Sequence, residues 1–301
     1  MKRQYQRTFI LVLCFALLPF LSLAKTPAKN ESMPQKITIG LTPGGEPEVI
    51  KKQALELAKD IQSEFNIPVE IYMSTDYSGL TSAMKSKKVD FAFFSSLTFV
   101  QAEKDAGAKV LLKKVWSEPY YFSTIVVRQD SKIKSINQLK GKKIAFVDKN
   151  STSGYLYPQV MLKKNGMDNS QFSEITYSGN HAHSIELLEQ KKVDAAAVFT
   201  DDEKGNAGAW TKFAKDKNIK FNTVWMSEPI PTDPFCVRKD FYENYPKLTH
   251  SLMFLLIDIF AQNKSTKKYS EVLGAHELMP ATSKQYDPVR EMVKSLNLEV
   301  K

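Results

Sequence analysis

Ile144-Ala145-Phe146-Val147-Asp148-Lys149-Asn150-Ser151-Thr152-Ser153-Gly154-Tyr155 holds an apolar run, a polar turn and the start of a helical pattern. Four apolar residues in a row read as a strand covered on both faces. Tyr155 to Asn165 has helical spacing, so three consecutive hydroxyl residues sit where a helix begins. A helix start exposes backbone N–H groups with no intrahelical partner and carries a partial positive charge. Two readings are open at this point. One hydroxyl caps the helix inside a polar loop, or Ser151, Thr152 and Ser153 join the N–H groups as a cradle of neutral donors for a tetrahedral oxyanion.

The same strand–turn–helix plan extends on both sides. Upstream, Ile37 to Leu41, Val69 to Met73, Val89 to Phe94 and Val110 to Trp116 read as strands. They alternate with helices from about Ile50 to Phe65, Leu80 to Lys87 and Leu97 to Ala106; the first carries Ile50, Ala54, Leu57, Ala58 and Ile61 on one stripe. Downstream, Ile175 to Tyr177 and Ala195 to Phe199 are strands around a helix from Ser184 to Gln190. Alternation of this kind implies an α/β fold with largely parallel sheets covered on both faces. Lys87-Lys88-Val89-Asp90 and Lys191-Lys192-Val193-Asp194 echo one another, each closing a helix and turning into a strand. Two lobes of similar plan are the economical arrangement.

Tyr120 to Arg128 is extended and β-rich, and Ser227 to Phe235 carries three prolines in an extended run. Both read as crossings between lobes, a stiff but bendable two-strand hinge. Phe241 to Gln262, Thr266 to Leu273 and Ser283 to Leu296 read as helices returning to the first lobe. Lobe one then comprises 36–124 and 232–301, and lobe two comprises 125–231.

The N-terminus reads differently. Lys2, Arg3 and Arg7 precede an apolar run from Phe9 to Leu23 that ends in Ser22-Leu23-Ala24. This is the pattern of a secretory signal over 1–24, followed by a polar disordered leader over 25–35. The exported chain would keep Cys236 as its only cysteine, so it has no internal disulfide. The formal net charge is +9, but the lysines are scattered and no basic run is interleaved with aromatics. That excludes a nucleic-acid binder and favours small anions weakly through long-range steering.

Ligands of open parallel sheets bind beyond the carboxyl ends of the strands. The loops there are Thr42 to Glu46, Ser74 to Gly79, Phe94 to Thr98, Asn150 to Gly154, Ser178 to His183 and Thr200 to Glu203. Most are rich in hydroxyls or glycine.

With these residues in view, the chain resembles the substrate-binding proteins of phosphonate, phosphite and phosphate ABC transporters. The motifs that carry the likeness are Asp76-Tyr77-Ser78-Gly79, Lys88-Val89-Asp90-Phe91-Ala92-Phe93-Phe94, Asn150-Ser151-Thr152-Ser153-Gly154-Tyr155 with Pro158, and Ile230-Pro231-Thr232-Asp233-Pro234. The resemblance implies a two-lobed periplasmic binding protein of type II. It further implies a small phosphorus anion as ligand, a permease of the inner membrane as partner, a monomer, and no cofactor or metal.

In the resemblance Ser151, Thr152 and Ser153 hold the anion, with Tyr77 and His181. Phe94 and Ser95 fall where the family often has a tyrosine or a Gly-rich turn, and Ala182 replaces an acid that commonly follows the histidine. Asp201, Asp202 and Glu203, with Asp233, lie near where aminoalkylphosphonate binders keep acids for the ligand amine. Gly45 is a further candidate from the first loop.

Three rivals stay open. An enzyme would need a nucleophile with its base, and no Gly-x-Ser-x-Gly elbow is present. His181 and His183 could share a metal, but no full ligand set has recognisable spacing. The same fold could instead take a sulfonate, an organic acid or a peptide, or serve as a ligand sensor.

Overall fold

The computed structural model describes residues 33–42, 47–266, 268–269 and 274–296. The signal segment, most of the leader, Gly45 and the helix expected over Thr266 to Leu273 lie outside or largely outside these residues.

Lobe one begins with β1 (Ile37–Leu41), α1 (Pro47–Phe65), β2 (Val69–Met73), α2 (Tyr77–Lys85), β3 (Phe91–Phe93), α3 (Ser96–Ala106) and β4 (Lys109–Val115). The chain then enters lobe two with β5 (Tyr120–Arg128), β6 (Lys143–Phe146), α4 (Tyr157–Lys164), β7 (Glu174–Tyr177), α5 (His181–Glu189), β8 (Ala195–Thr200), α6 (Ala209–Phe213), β9 (Phe221–Met226) and β10 (Ile230–Pro231). It returns through β11 (Pro234–Val237), α7 (Lys239–Asn244), α8 (Pro246–Thr266), β12 (Glu277–Pro280) and α9 (Asp287–Ser295). The α/β two-lobed architecture read from the sequence is the one observed. The first crossing spans only Trp116 to Pro119, because β5 already belongs to the second sheet at Tyr120; a lobe boundary at residue 124 falls inside that strand.

The first sheet has the order β12-β4-β11-β3-β1-β2, the second β10-β5-β8-β6-β7 with β9 on β5. Strands β1, β2 and β3 are parallel, and returning β11 inserts antiparallel between β3 and β4. In the second sheet β6, β7 and β8 are parallel and β5 runs against β8. The sheets are therefore mixed. What matters for function is that β1 to β4 share one direction and β6 to β8 share another, so each lobe gathers its strand carboxyl ends at one edge.

Local chemistry explains the elements. The α1 stripe of Ile50, Ala54, Leu57, Ala58 and Ile61 is buried. Helix α2 starts at Tyr77, earlier than Leu80, because Asp76 caps it by accepting from Gly79 N at 2.6 Å. Tyr245 and Pro246 divide the long helix expected from Phe241 into α7 and α8, as a proline at a helix's first position does. The echoed corners are alike in detail. Lys87 and Lys191 are both left-handed (φ 61° and 56°). Asp90 accepts from Thr38 N, and Asp194 from Lys143 N, each at 2.9 Å. Strands β9 and β12 and helix α6 are additions to the elements expected from sequence.

Among the described residues four apolar clusters hold the fold. One of them crosses between lobes: Phe94, Leu97 and Phe99 meet Tyr121, Leu156 and Tyr157, with Tyr286, Val289 and Val293 beside them. The lobes are thus fastened behind the cleft by apolar packing as well as by the crossing strands.

Candidate functional site

A cavity of about 150 Å³ lies between the two sheet edges. Its walls come from the strand carboxyl ends: Thr42 after β1, Tyr77 after β2, Phe93 and Ser95 at β3, and Lys114 and Trp116 at β4. Lobe two supplies Ser151, Thr152 and Ser153 after β6, His181 after β7, and Phe199 and Asp201 at the end of β8. Thr232 and Asp233 enter from the second crossing.

The three hydroxyl residues are buried at the start of a π-helical turn, Thr152–Leu156, that leads into α4. Wide turns of this kind recur where backbone must serve a site. Ser151 caps the turn, its Oγ accepting from Gly154 N at 3.1 Å. Gly154 is required there: a Cβ would stand 2.4 Å from Val147 Cγ2. Thr152 Oγ1 accepts from Leu97 N at 2.9 Å, a bond from the start of α3 in the opposite lobe. Ser153 is anchored through its carbonyl, which accepts from Ser123 Oγ at 2.6 Å.

Two buried tyrosines complete the arrangement. The Tyr77 hydroxyl meets the Ser151 side chain, and the Tyr121 hydroxyl meets those of Thr152 and Ser153. Burial, reinforced by the Asp233 charge, pushes both phenols up, so they stay protonated donors. A hydroxyl oxygen has two lone pairs and one hydrogen. Each contact between a phenol and a hydroxyl uses one hydrogen, whichever oxygen donates it, so each group of hydroxyls keeps a hydrogen for the cavity. The cradle therefore offers donors without formal charge.

His181 opens α5 under the Asn180 cap, which accepts from His183 N at 2.8 Å. Its ring packs edge-on against Phe199 at 5.0 Å. Burial lowers its pKa from 6.5 to about 3, so the ring is neutral, and its buried Nδ1 has no hydrogen-bond partner within the protein. His183 turns away and engages Ser178 O at 2.9 Å.

The other end of the cavity is charged. Asp233 Oδ2 lies 3.4 Å from Lys114 Nζ, and the neighbouring backbones are bonded as Lys114 N to Asp233 O at 3.1 Å. Burial raises the Asp233 pKa against the pull of Lys114. Burial likewise lifts Asp201 to about 6; Lys212 opposes this rise, and the Asp233 charge adds to it. Lys212 reaches the Trp116 ring at 5.0 Å, a contact between the lobes.

Of the residues singled out in the sequence, Tyr77, Ser95, Ser151, Thr152, Ser153, His181 and Asp233 line this cavity together. Phe94 does not. It is buried in the interlobe apolar cluster, and its neighbour Phe93 faces the cavity instead, as strand alternation requires. Asp202 and Glu203 are also absent from the walls. Asp202 folds a turn by accepting from Lys204 N at 2.8 Å and Asn206 N at 3.0 Å, and Glu203 is exposed. Asp201 takes the wall position. Gly45 lies outside the described residues. Lys114, Trp116, Tyr121 and Lys212 are site residues that the sequence did not single out. The carboxyl-end rule, applied to β4, points to the first two.

Comparison with known proteins gives the family. The family model described as "ABC transporter, phosphonate, periplasmic substrate-binding protein" matches residues 39–286, most of the chain. The chain belongs to this family. It is 26% identical over 287 residues to the "Phosphonates-binding periplasmic protein" of Escherichia coli K12, covering 93% of this chain and 82% of that one. It is 22% identical over 278 residues to a probable phosphite-binding ABC-transporter protein of Prochlorococcus marinus, covering 88% and 91%. Among solved structures, the Prochlorococcus marinus protein PhnD1 in complex with methylphosphonate superposes with a TM-score of 0.76 at 22% identity, over 88% of this chain and 99% of that one. The aliphatic sulphonate binding protein SsuA of Escherichia coli shares the fold more distantly, at a TM-score of 0.62 and 15% identity over 88% and 94%. Relatives in this family are substrate-binding components of transport systems. Among the described residues no helix is long and apolar enough to cross a membrane.

Proposed function

We propose that this family member captures an aminoalkylphosphonate in the cavity and hands it to the permease of an ABC transporter. The observation that carries the reading is the cradle. Gly154 N and Leu97 N donate to Ser151 and Thr152, and these hydroxyls share hydrogen bonds with Tyr77 and Tyr121, which leaves hydroxyl hydrogens for an oxyanion. His181, neutral and with an unpartnered ring nitrogen, supplies a further donor from lobe two. Asp201 and Asp233 stand ready for the ligand ammonium, and burial holds each above its ordinary pKa against the pull of Lys212 and Lys114. The phosphonate and the amine are thereby gripped from both lobes, and binding favours the closed state. The closing bodies are the segments 36–119 with 232–301, and 120–231. The protein acts as an exported monomer after removal of residues 1–24, and releases its ligand unchanged.

The phosphonates and phosphite of the relatives fit this reading, and the sulphonate binder of the same fold suggests its competitor. Calorimetry and thermal-shift measurements on the purified protein test it with 2-aminoethylphosphonate, methylphosphonate, phosphite, phosphate and taurine. The expected order places 2-aminoethylphosphonate first and leaves taurine, its sulfonate counterpart, without measurable binding. Equal or tighter binding of taurine overturns the phosphonate reading in favour of a sulfonate carrier.

A further inference from the structure

The charged end of the cavity holds more than a single amine needs. Asp233, just before β11, already has Lys114 beside it at 3.4 Å on the adjoining strand β4. Asp201 has Lys212 within electrostatic reach on the other lobe. The lysines are held at the wall by aromatic faces: Lys114 lies 5.7 Å from the Phe93 ring centre, and Lys212 lies 5.0 Å from Trp116 and 5.5 Å from Phe213. Such contacts keep an ammonium over a ring face. The Lys114 side chain is only 17% exposed, so its charge is matched inside the cavity rather than by water.

Two acids and two lysines sum to no net charge. A ligand ammonium added alone places a third cation among balanced charges and competes with both lysines for the carboxylates. A ligand head that carries an ammonium and a carboxylate together adds no net charge. Its ammonium takes the acids, its carboxylate takes the lysines, and every charge at this end keeps an opposite partner. Building on the phosphonate assignment of the cradle, we propose that the preferred ligand is a phosphono amino acid, with its α-carboxylate held by Lys114 and Lys212 and its α-ammonium by Asp201 and Asp233. Trp116 acts through Lys212 as a positioning residue. Because Lys114 comes from lobe one and Lys212 from lobe two, the carboxylate site is complete only when the lobes are together.

Calorimetry with 2-amino-3-phosphonopropionate, 2-aminoethylphosphonate and methylphosphonate on the whole protein tests this. One charge-assisted hydrogen bond gained corresponds to roughly tenfold to a hundredfold in affinity. The phosphono amino acid is therefore expected to bind at least about tenfold tighter than 2-aminoethylphosphonate. Lys212→Met is expected to bring the ratio of the two affinities close to one, and Lys212→Arg to keep most of it. A melting temperature measured for each variant shows that it is folded. Wild-type protein that binds 2-aminoethylphosphonate as tightly as the amino acid overturns the inference, as does an unchanged ratio in Lys212→Met. Methylphosphonate separates the two levels. If it binds and the amino acid gains nothing, only the carboxylate site falls; if no phosphonate binds, the cradle assignment falls with it.

Discussion

At one end of the cavity Ser151, Thr152 and Ser153 offer hydroxyl hydrogens with no formal charge; at the other, Asp201 and Asp233 face Lys212 and Lys114. The neutral end is fixed by backbone hydrogen bonds, among them Gly154 N to Ser151 and Leu97 N to Thr152, which form when the protein folds. The charged end is under electrostatic tension, with burial lifting both carboxyl pKa values. A preset neutral cradle needs little rearrangement to receive an anion, and its donors suit any tetrahedral oxyanion equally. Tension at the charged end is relieved only by a ligand with the right complement of charges. We therefore assign affinity to the first end and discrimination to the second. Substitutions at the two ends should differ in kind as well as in size.

The largest effect is expected at the cradle. Thr152→Val keeps the branched shape but removes the hydroxyl, leaving Leu97 N–H without its acceptor and the ligand without a donor. Loss of a hydrogen bond to a charged group corresponds to about 1.5–3 kcal/mol. Affinity should fall roughly tenfold to a hundredfold, and by the same factor for methylphosphonate and 2-aminoethylphosphonate. A loss confined to one of the two ligands, measured by calorimetry, would place discrimination in the cradle and undo the division.

A smaller effect with a different signature is expected from Asp201→Asn. Wild-type Asp201 has its folded pKa raised from 3.8 to about 6. A raised pKa means that the folded state binds the proton more tightly than the unfolded state. This contribution to stability is full below about pH 4 and is lost as pH rises through 6. The asparagine does not titrate, so the variant should gain on wild type as pH rises from 4 to above 6. The plateau is about 1–2 kcal/mol, since two pKa units set an upper bound near 3 kcal/mol and partial exposure reduces it. Over the same substitution 2-aminoethylphosphonate should lose about tenfold in affinity and methylphosphonate little. Denaturant melts between pH 4 and 7.5 would show it. A variant less stable than wild type at pH 7 contradicts the tension assigned to this end.

The two ends also differ in how far they can be read from the chain. The cradle is contiguous: strand, hydroxyls and helix follow one another from Ile144 to Tyr155, so local rules suffice. The echoed Lys-Lys-Val-Asp corners are local in the same way, and they carried the two-lobed plan. The charged end is assembled from β4, the β8 end, α6 and the second crossing. Lys114 meets Asp233 only because returning β11 inserts between β3 and β4, a register that no local pattern encodes. Parity accounts for the near misses. Phe93 rather than Phe94, and Asp201 rather than Asp202, face the cavity because facing depends on where a strand ends, and that is set by its neighbours. The antiparallel insertion of β11 was hidden for the same reason, since pairing partners are a property of the whole sheet.

The smallest effect expected concerns His181, which stands between the two ends. Its folded pKa is depressed from 6.5 to about 3 by burial. A depressed pKa means that the unfolded state binds the proton more tightly, so the stability tied to the neutral ring is present above pH 6.5 and is lost as pH falls from 6.5 toward 3. His181→Gln keeps a polar side chain but cannot titrate in this range. Between pH 7 and pH 6 wild type should therefore lose roughly 0.5–1 kcal/mol more than the variant. Ligand sharpens the test. An oxyanion beside the unpartnered Nδ1 favours protonation of the ring, so binding at pH 6 should take up protons in wild type and not in His181→Gln. The uptake is read from the dependence of the calorimetric enthalpy on the buffer's ionisation heat. Equal uptake by the two proteins at pH 6 would mean that His181 does not reach the anion, and would leave the cradle to the hydroxyls and tyrosines alone.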